Sequence, residues 1–174
     1  MKLSGWMMGA AAIALAAACN KAPAPMTEAE RTALADSVDR VVTETFTSLA
    51  REASGDKILS YYVRGGELVH AEFGMVYPTY DSLVKVLHAL YRPGSTFAVT
   101  PDQKRFMVLD RDVVVFTTLF NGVFKDSAGK ETPVHEAWTA VYHRTPDGWK
   151  IAADHESMAP PAPPAPPKPE HRTR

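Results

Sequence analysis

The run Val113-Val114-Val115-Phe116-Thr117-Thr118-Leu119-Phe120-Asn121-Gly122-Val123-Phe124-Lys125 constrains this chain more than any other. It is rich in β-branched and aromatic residues, which suit an extended, pleated backbone. Both alternating sets are apolar: Val113, Val115 and Leu119 on one side, Val114, Phe116 and Phe120 on the other. A strand of that kind needs cover on both faces. It demands helices against one side, and a second sheet or another subunit against the other.

Its surroundings supply the rest of a sheet. Thr96–Thr100 and Arg105–Leu109 precede it, and Glu131–Arg144 and Trp149–Ser157 follow it. Asp110-Arg111-Asp112, Asp126-Ser127-Ala128-Gly129 and Thr145-Pro146-Asp147-Gly148 carry turn residues between these segments. Upstream the period changes. Thr27-Glu28-Ala29-Glu30 is a capping box, and Leu34, Val38, Val41, Phe46 and Leu49 repeat at helical spacing until Ser54-Gly55. A second helix follows Pro78-Thr79, carries Leu83, Val84, Leu87, Leu90 and Tyr91, and stops at Pro93-Gly94. Between the helices, Lys57–Val63 and Leu68–Phe73 read as short strands around Arg64-Gly65-Gly66-Glu67. Helices followed by consecutive strands predict an α+β fold with a mainly antiparallel sheet and helices on one face.

The ends differ from this domain, which spans 27–158. Residues 1–18 contain one charge, Lys2, and an apolar, Ala-rich run from Met7 to Ala18. That is the pattern of a signal peptide, too short for a spanning helix. The chain's single cysteine ends it, in Leu15-Ala16-Ala17-Ala18-Cys19-Asn20, which resembles a bacterial lipobox. The resemblance implies cleavage before Cys19 and lipidation of its thiol. It also implies a membrane-anchored, periplasm-facing protein, with Asn20 consistent with the outer membrane. Residues 19–26 form a tether. Residues 159–174 hold half of the 14 prolines and predict a disordered, polyproline-like tail.

Charge and composition narrow the function. The net charge is −1, and Thr27–Met158 carries all but one of the 20 acidic residues, so a nucleic-acid partner is not expected. One cysteine allows no internal disulfide and no cysteine-based zinc site. His70, His88, His135, His143, His155 and His171 show no H-x-x-x-H or H-x-H spacing, so no metal is expected. Neither a nucleophile elbow nor a glycine-rich phosphate cradle is present, and no cofactor is predicted.

Asp112-Val113-Val114-Val115-Phe116-Thr117, Trp138-Thr139-Ala140-Val141-Tyr142-His143-Arg144 and Asp147-Gly148-Trp149-Lys150-Ile151 through His155-Glu156-Ser157 together resemble the NTF2-like superfamily. SnoaL-like and DUF4440-like members are the best match, and the calmodulin-dependent kinase II association domain has a similar last strand. The resemblance covers about residues 27–158. It implies a cone in which a curved antiparallel sheet wraps a long N-terminal helix and a second helix, encloses a pocket and often dimerises through the sheet. The frame hosts isomerases, dehydratases, cyclases and non-catalytic modules, so the site must supply the function.

Alternation in the last strand places Trp149, Ile151, Ala153, His155 and Ser157 on one face. A four-residue hairpin loop at 145–148 pairs Arg144 with Trp149, Tyr142 with Ile151, Trp138 with His155 and Glu136 with Ser157. A bulge would substitute His135 and Thr139 for Glu136 and Trp138. The expected pocket is therefore Tyr61, Tyr62, Trp138, Tyr142 and His155, with Glu136 and His155 as acid/base candidates. The function predicted is a lipid-anchored module that binds a small apolar or amphipathic ligand or an envelope protein, without catalysis. The alternative is a cofactor-independent isomerase, dehydratase or cyclase. A homodimer is expected, and light scattering on the 27–158 fragment tests it: a monomer at high concentration counts against pairing through the sheet.

Overall fold

A computed structural model describes residues 24–65 and 68–158. The leader, the first part of the tether and the proline-rich tail fall outside that range, as does half of the Arg64–Glu67 turn.

Helix α1 runs from Glu28 to Leu49 and starts with the expected capping box. The Thr27 hydroxyl accepts from the Glu30 N–H (3.2 Å), and a Glu30 carboxylate oxygen accepts from the Thr27 N–H (2.7 Å). Val38, Val42, Thr45, Phe46 and Leu49 form its buried stripe. Arg31 and Trp149 fasten the helix to the sheet, through the Val108 carbonyl (2.9 Å) and the Ser37 hydroxyl (3.0 Å).

Ser54-Gly55 does not stop this helix. It starts another, α2 (Gly55–Leu59), in which the Ser54 hydroxyl accepts from the Lys57 N–H. Gly55 is required there by contact: a Cβ would sit 2.4 Å from the His88 ring and 3.0 Å from its backbone. The stretch read as a strand at 57–63 is therefore helical for its first half, because a serine cap and burial of Ile58 and Leu59 override β propensity. Extended backbone resumes at Tyr62, which bridges in parallel to Ile151.

Strand β1 (Val69–Glu72) turns through Phe73-Gly74 into β2 (Met75–Tyr77), which sequence reading did not anticipate. Both turn residues have positive φ (52° and 74°), as a tight hairpin turn requires. Helix α3 (Tyr80–Leu90) is capped by Thr79 and buries Leu83 and Leu87. The remaining strands are β3 (Thr96–Asp110), β4 (Val113–Lys125), β5 (Glu131–Thr145) and β6 (Gly148–Met158). The two segments expected at 96–109 form one strand with an irregularity between Asp102 and Arg105.

Together the strands make one curved, open sheet in the order β2-β1-β6-β5-β4-β3. Every neighbouring pair is antiparallel except β1 with β6. Val114, Phe116, Thr118 and Phe120 on β4 face the helices and are buried, while Val113, Val115 and Leu119 on the outer side are half-buried. Met107, paired with Val115, is 61% exposed. Gly122 sits where β4 presses against β3: a Cβ there would lie 2.1 Å from the Ala98 carbonyl oxygen. Gly122→Ala is expected to cost about 2 kcal/mol through forced backbone movement. A urea midpoint unchanged from the parent would show that the strands can separate there without strain.

Candidate functional site

The register of the last hairpin decides which side chains meet. Arg144 pairs with Trp149 and Tyr142 with Ile151, as the sequence predicts. One step further the strands slip. Val141 pairs with Ala153, so Ala152 is an extra residue on β6. A one-residue bulge reverses every side chain beyond it on its own strand and none on its partner. Trp138 and Glu136 therefore stay inward, opposite Glu156 and Met158, while Asp154 and Glu156 take the inward places expected for His155 and Ser157.

His155 is thus a correction. It pairs with Thr139, as the bulged alternative proposed, but on the outer, exposed face, and it does not meet Glu136. His135 does not replace Glu136 either, since Ser157 pairs with Ala137. Tyr61, Tyr62 and Trp138 line the inner cavity. Tyr142 is buried behind it without lining it, and its hydroxyl has no hydrogen-bond partner among the described residues.

The centre of the site is Asp154, whose side chain is fully buried. One carboxylate oxygen accepts from His70 Nδ1 (2.8 Å). The other accepts from the Tyr62 hydroxyl (2.7 Å) and the Trp138 indole N–H (3.1 Å). Parallel pairing puts His70 directly beside Asp154, and alternation along β1 puts Glu72 on the same face. The second ring nitrogen of His70 lies 3.3 Å from a Glu72 carboxylate oxygen, and the ring stacks on Tyr77 (centroids 5.6 Å apart).

Electrostatics follow from this arrangement. Burial disfavours charge on His70, but its hydrogen bonds to Asp154 and Glu72, with the nearby negative charge, outweigh that and push its pKa up to about 10. His70 is therefore an imidazolium at neutral pH, donating from both nitrogens. Burial raises the Glu156 carboxyl well above the usual carboxylate range, and the charges of Glu72 and Asp154 raise it further. Glu136, diagonal to it on β5, is also raised by burial, with its hydrogen bond to Glu156 partly offsetting the rise. Burial and the surrounding acids hold the Tyr62 and Tyr91 hydroxyls protonated.

Of these groups, Tyr62, His70, Glu72 and Glu156 form one wall of a cavity of about 50 Å³, enough for a few waters or one compact group, with Asp154 behind them. Its other walls are aromatic and aliphatic: Phe46 and Leu49 from α1, Tyr91 at the C-terminal cap of α3, and Phe97 and Phe120 from the sheet. Phe46, Phe120 and Trp138 pack with ring centroids 4.9 to 5.8 Å apart, which fixes the floor. Among the described residues no group of three or more His, Cys, Asp or Glu has the geometry to hold a metal ion.

Sequence reading missed His70, Glu72, Asp154 and Glu156. One signal was available. Three strands each carry two polar or ionisable residues two apart, at 70 and 72, 136 and 138, and 154 and 156. Residues two apart on a strand share a face, so each pair falls on one side of its strand.

The comparisons agree with this architecture. The chain matches the SnoaL-like domain family over residues 39–161 and belongs to that family. No curated protein matches it in sequence. Among solved structures, a candidate calcium/calmodulin-dependent protein kinase II association domain from Xanthomonas campestris is 20% identical (TM-score 0.56, 80% of this chain and 92% of that one). A ketosteroid isomerase-like protein from Erwinia carotovora is 18% identical (TM-score 0.55, 76% and 96%). A candidate scytalone dehydratase from Novosphingobium aromaticivorans is 6% identical (TM-score 0.63, 77% and 89%). At these identities the likeness is one of fold.

Proposed function

We propose that this protein is a lipid-anchored, periplasm-facing module that holds a compact, largely apolar molecule inside its cone. The observation that carries this reading is the cavity between the helices and the sheet, aromatic on most sides with its polar groups gathered on one wall, an arrangement that orients a small ligand. Binding is favoured over turnover because the most basic group is already committed. Both His70 nitrogens donate to carboxylates, and three donors occupy Asp154. Native mass spectrometry of protein purified from its own envelope tests the reading. A small molecule retained on the folded chain and released on unfolding is the expected result; a chain that carries no such mass would overturn it.

A second reading, acid–base turnover of the isomerase or dehydratase kind, draws on Glu136 and Glu156. Burial raises both carboxyls above the usual carboxylate range, so each keeps its proton to higher pH than a free acid and can hand it on. The isomerase-like and dehydratase-like neighbours are compatible with it. A retained molecule recovered chemically changed after incubation would favour this reading over simple binding.

The anchor rests on Leu15–Cys19. Two or more acyl chains on Cys19 would give stable membrane attachment. Cys19→Ser is expected to move the protein from the membrane fraction to the soluble one, and unchanged fractionation would rule out the lipid.

A further inference from the structure

We propose, resting on that pocket reading, that the ligand is a compact organic cation, its ammonium group seated against Glu72 and Glu156 and its substituents against Tyr91, Phe97 and Phe120. The ionisable residues that line the cavity are the acids Glu72 and Glu156, His70, and the tyrosines Tyr61, Tyr62 and Tyr91. No lysine or arginine reaches it among the described residues. The positive charge of His70 is already matched by Asp154 and Glu72, to which it donates. One imidazolium faces two acids on this wall, so an anionic ligand would add to an excess of negative charge, whereas a cation would offset it and find carboxyl oxygens as acceptors.

Two further features fit a cation. Thr45 lines the cavity, is 5% exposed, and its hydroxyl has no hydrogen-bond partner among the described residues. It is an acceptor left over for an N–H group. The facing walls are aromatic, and ring faces attract ammonium groups most strongly where water is excluded. The small volume restricts the cation to a few heavy atoms unless a side chain moves.

The test compares three probes of nearly equal shape and different charge: tert-butylammonium, tert-butanol and trimethylacetate. Each is titrated into the full-length protein in detergent while the Trp138 indole N–H resonance is followed, since that group borders the cavity. The expected result is that tert-butylammonium saturates at a concentration at least tenfold below that of tert-butanol, and that trimethylacetate does not bind. Glu72→Gln is expected to reduce the cation's advantage over tert-butanol to under threefold. Glu156→Gln, closer to a neutral acid in shape, provides a second variant that keeps the fold. Equal or better binding of tert-butanol or trimethylacetate would overturn the cation assignment and leave the pocket reading standing. No response to any probe up to about 10 mM would remove both.

Discussion

Asp154→Ala is expected to lower the unfolding free energy by about 3–5 kcal/mol, the scale found when one partner of a buried ion pair is removed. Total stabilities run only to about 5–15 kcal/mol, so the variant should be barely folded at room temperature. The mechanism is specific. The substitution leaves the His70 imidazolium, the Tyr62 hydroxyl and the Trp138 N–H buried without their common acceptor. Asp154→Asn should cost less, because its amide oxygen still accepts from one of these donors. Urea unfolding followed by far-ultraviolet circular dichroism measures both. A loss below about 1 kcal/mol for the alanine variant would mean that Asp154 does not organise the site.

The second large effect is on pH dependence. The folded pKa of His70, about 10, lies above its unfolded value of 6.5. The native state therefore holds a proton that the unfolded chain releases across this interval. The stabilisation is complete below pH 6.5, declines through the interval and is gone above pH 10. Its size is on the order of 5 kcal/mol. Glu136 and Glu156 act in the same direction at lower pH. Their folded pKa values are raised from 4.5, so stability falls as pH rises above 4.5 toward those values. The protein should thus be most stable in mild acid and lose stability steadily into the alkaline range. His70→Gln keeps a hydrogen-bonding side chain without the charge, and should flatten the decline between pH 6.5 and 10. A parent profile that rises across this window would contradict the charged state of His70.

Much of the frame was legible because single residues or simple periods determine it. The Thr27–Glu30 box marks the start of α1, and the runs from Val113 to Thr145 mark β4 and β5 within a residue. Where the reading failed, a local preference lost to a contact distant in sequence. Ser54-Gly55 has the look of a helix stop, yet the glycine is there so that α2 can pack on His88. Ile58 and Leu59 favour strands, but they fill a core under a serine cap.

The site was half legible for a similar reason. Tyr61, Tyr62 and Trp138 lie before or across from the slip and line the cavity, because alternation holds until a strand is interrupted. The interruption is Ala152. Two consecutive alanines carry no facing preference, so nothing local says which of them is the extra residue. That one residue exchanged His155 for Asp154 and Glu156. The parallel pairing of β1 with β6, which sets His70 against Asp154, joins segments 84 positions apart and has no local signature.

The most direct test of the site is the protonation state of His70, read from the 15N chemical shifts of its ring in the folded protein. The expected result is a doubly protonated imidazole at pH 7 that begins to lose its proton only well above pH 8 and does so near neutrality in Asp154→Asn. A neutral ring at pH 7 in the parent chain would contradict it.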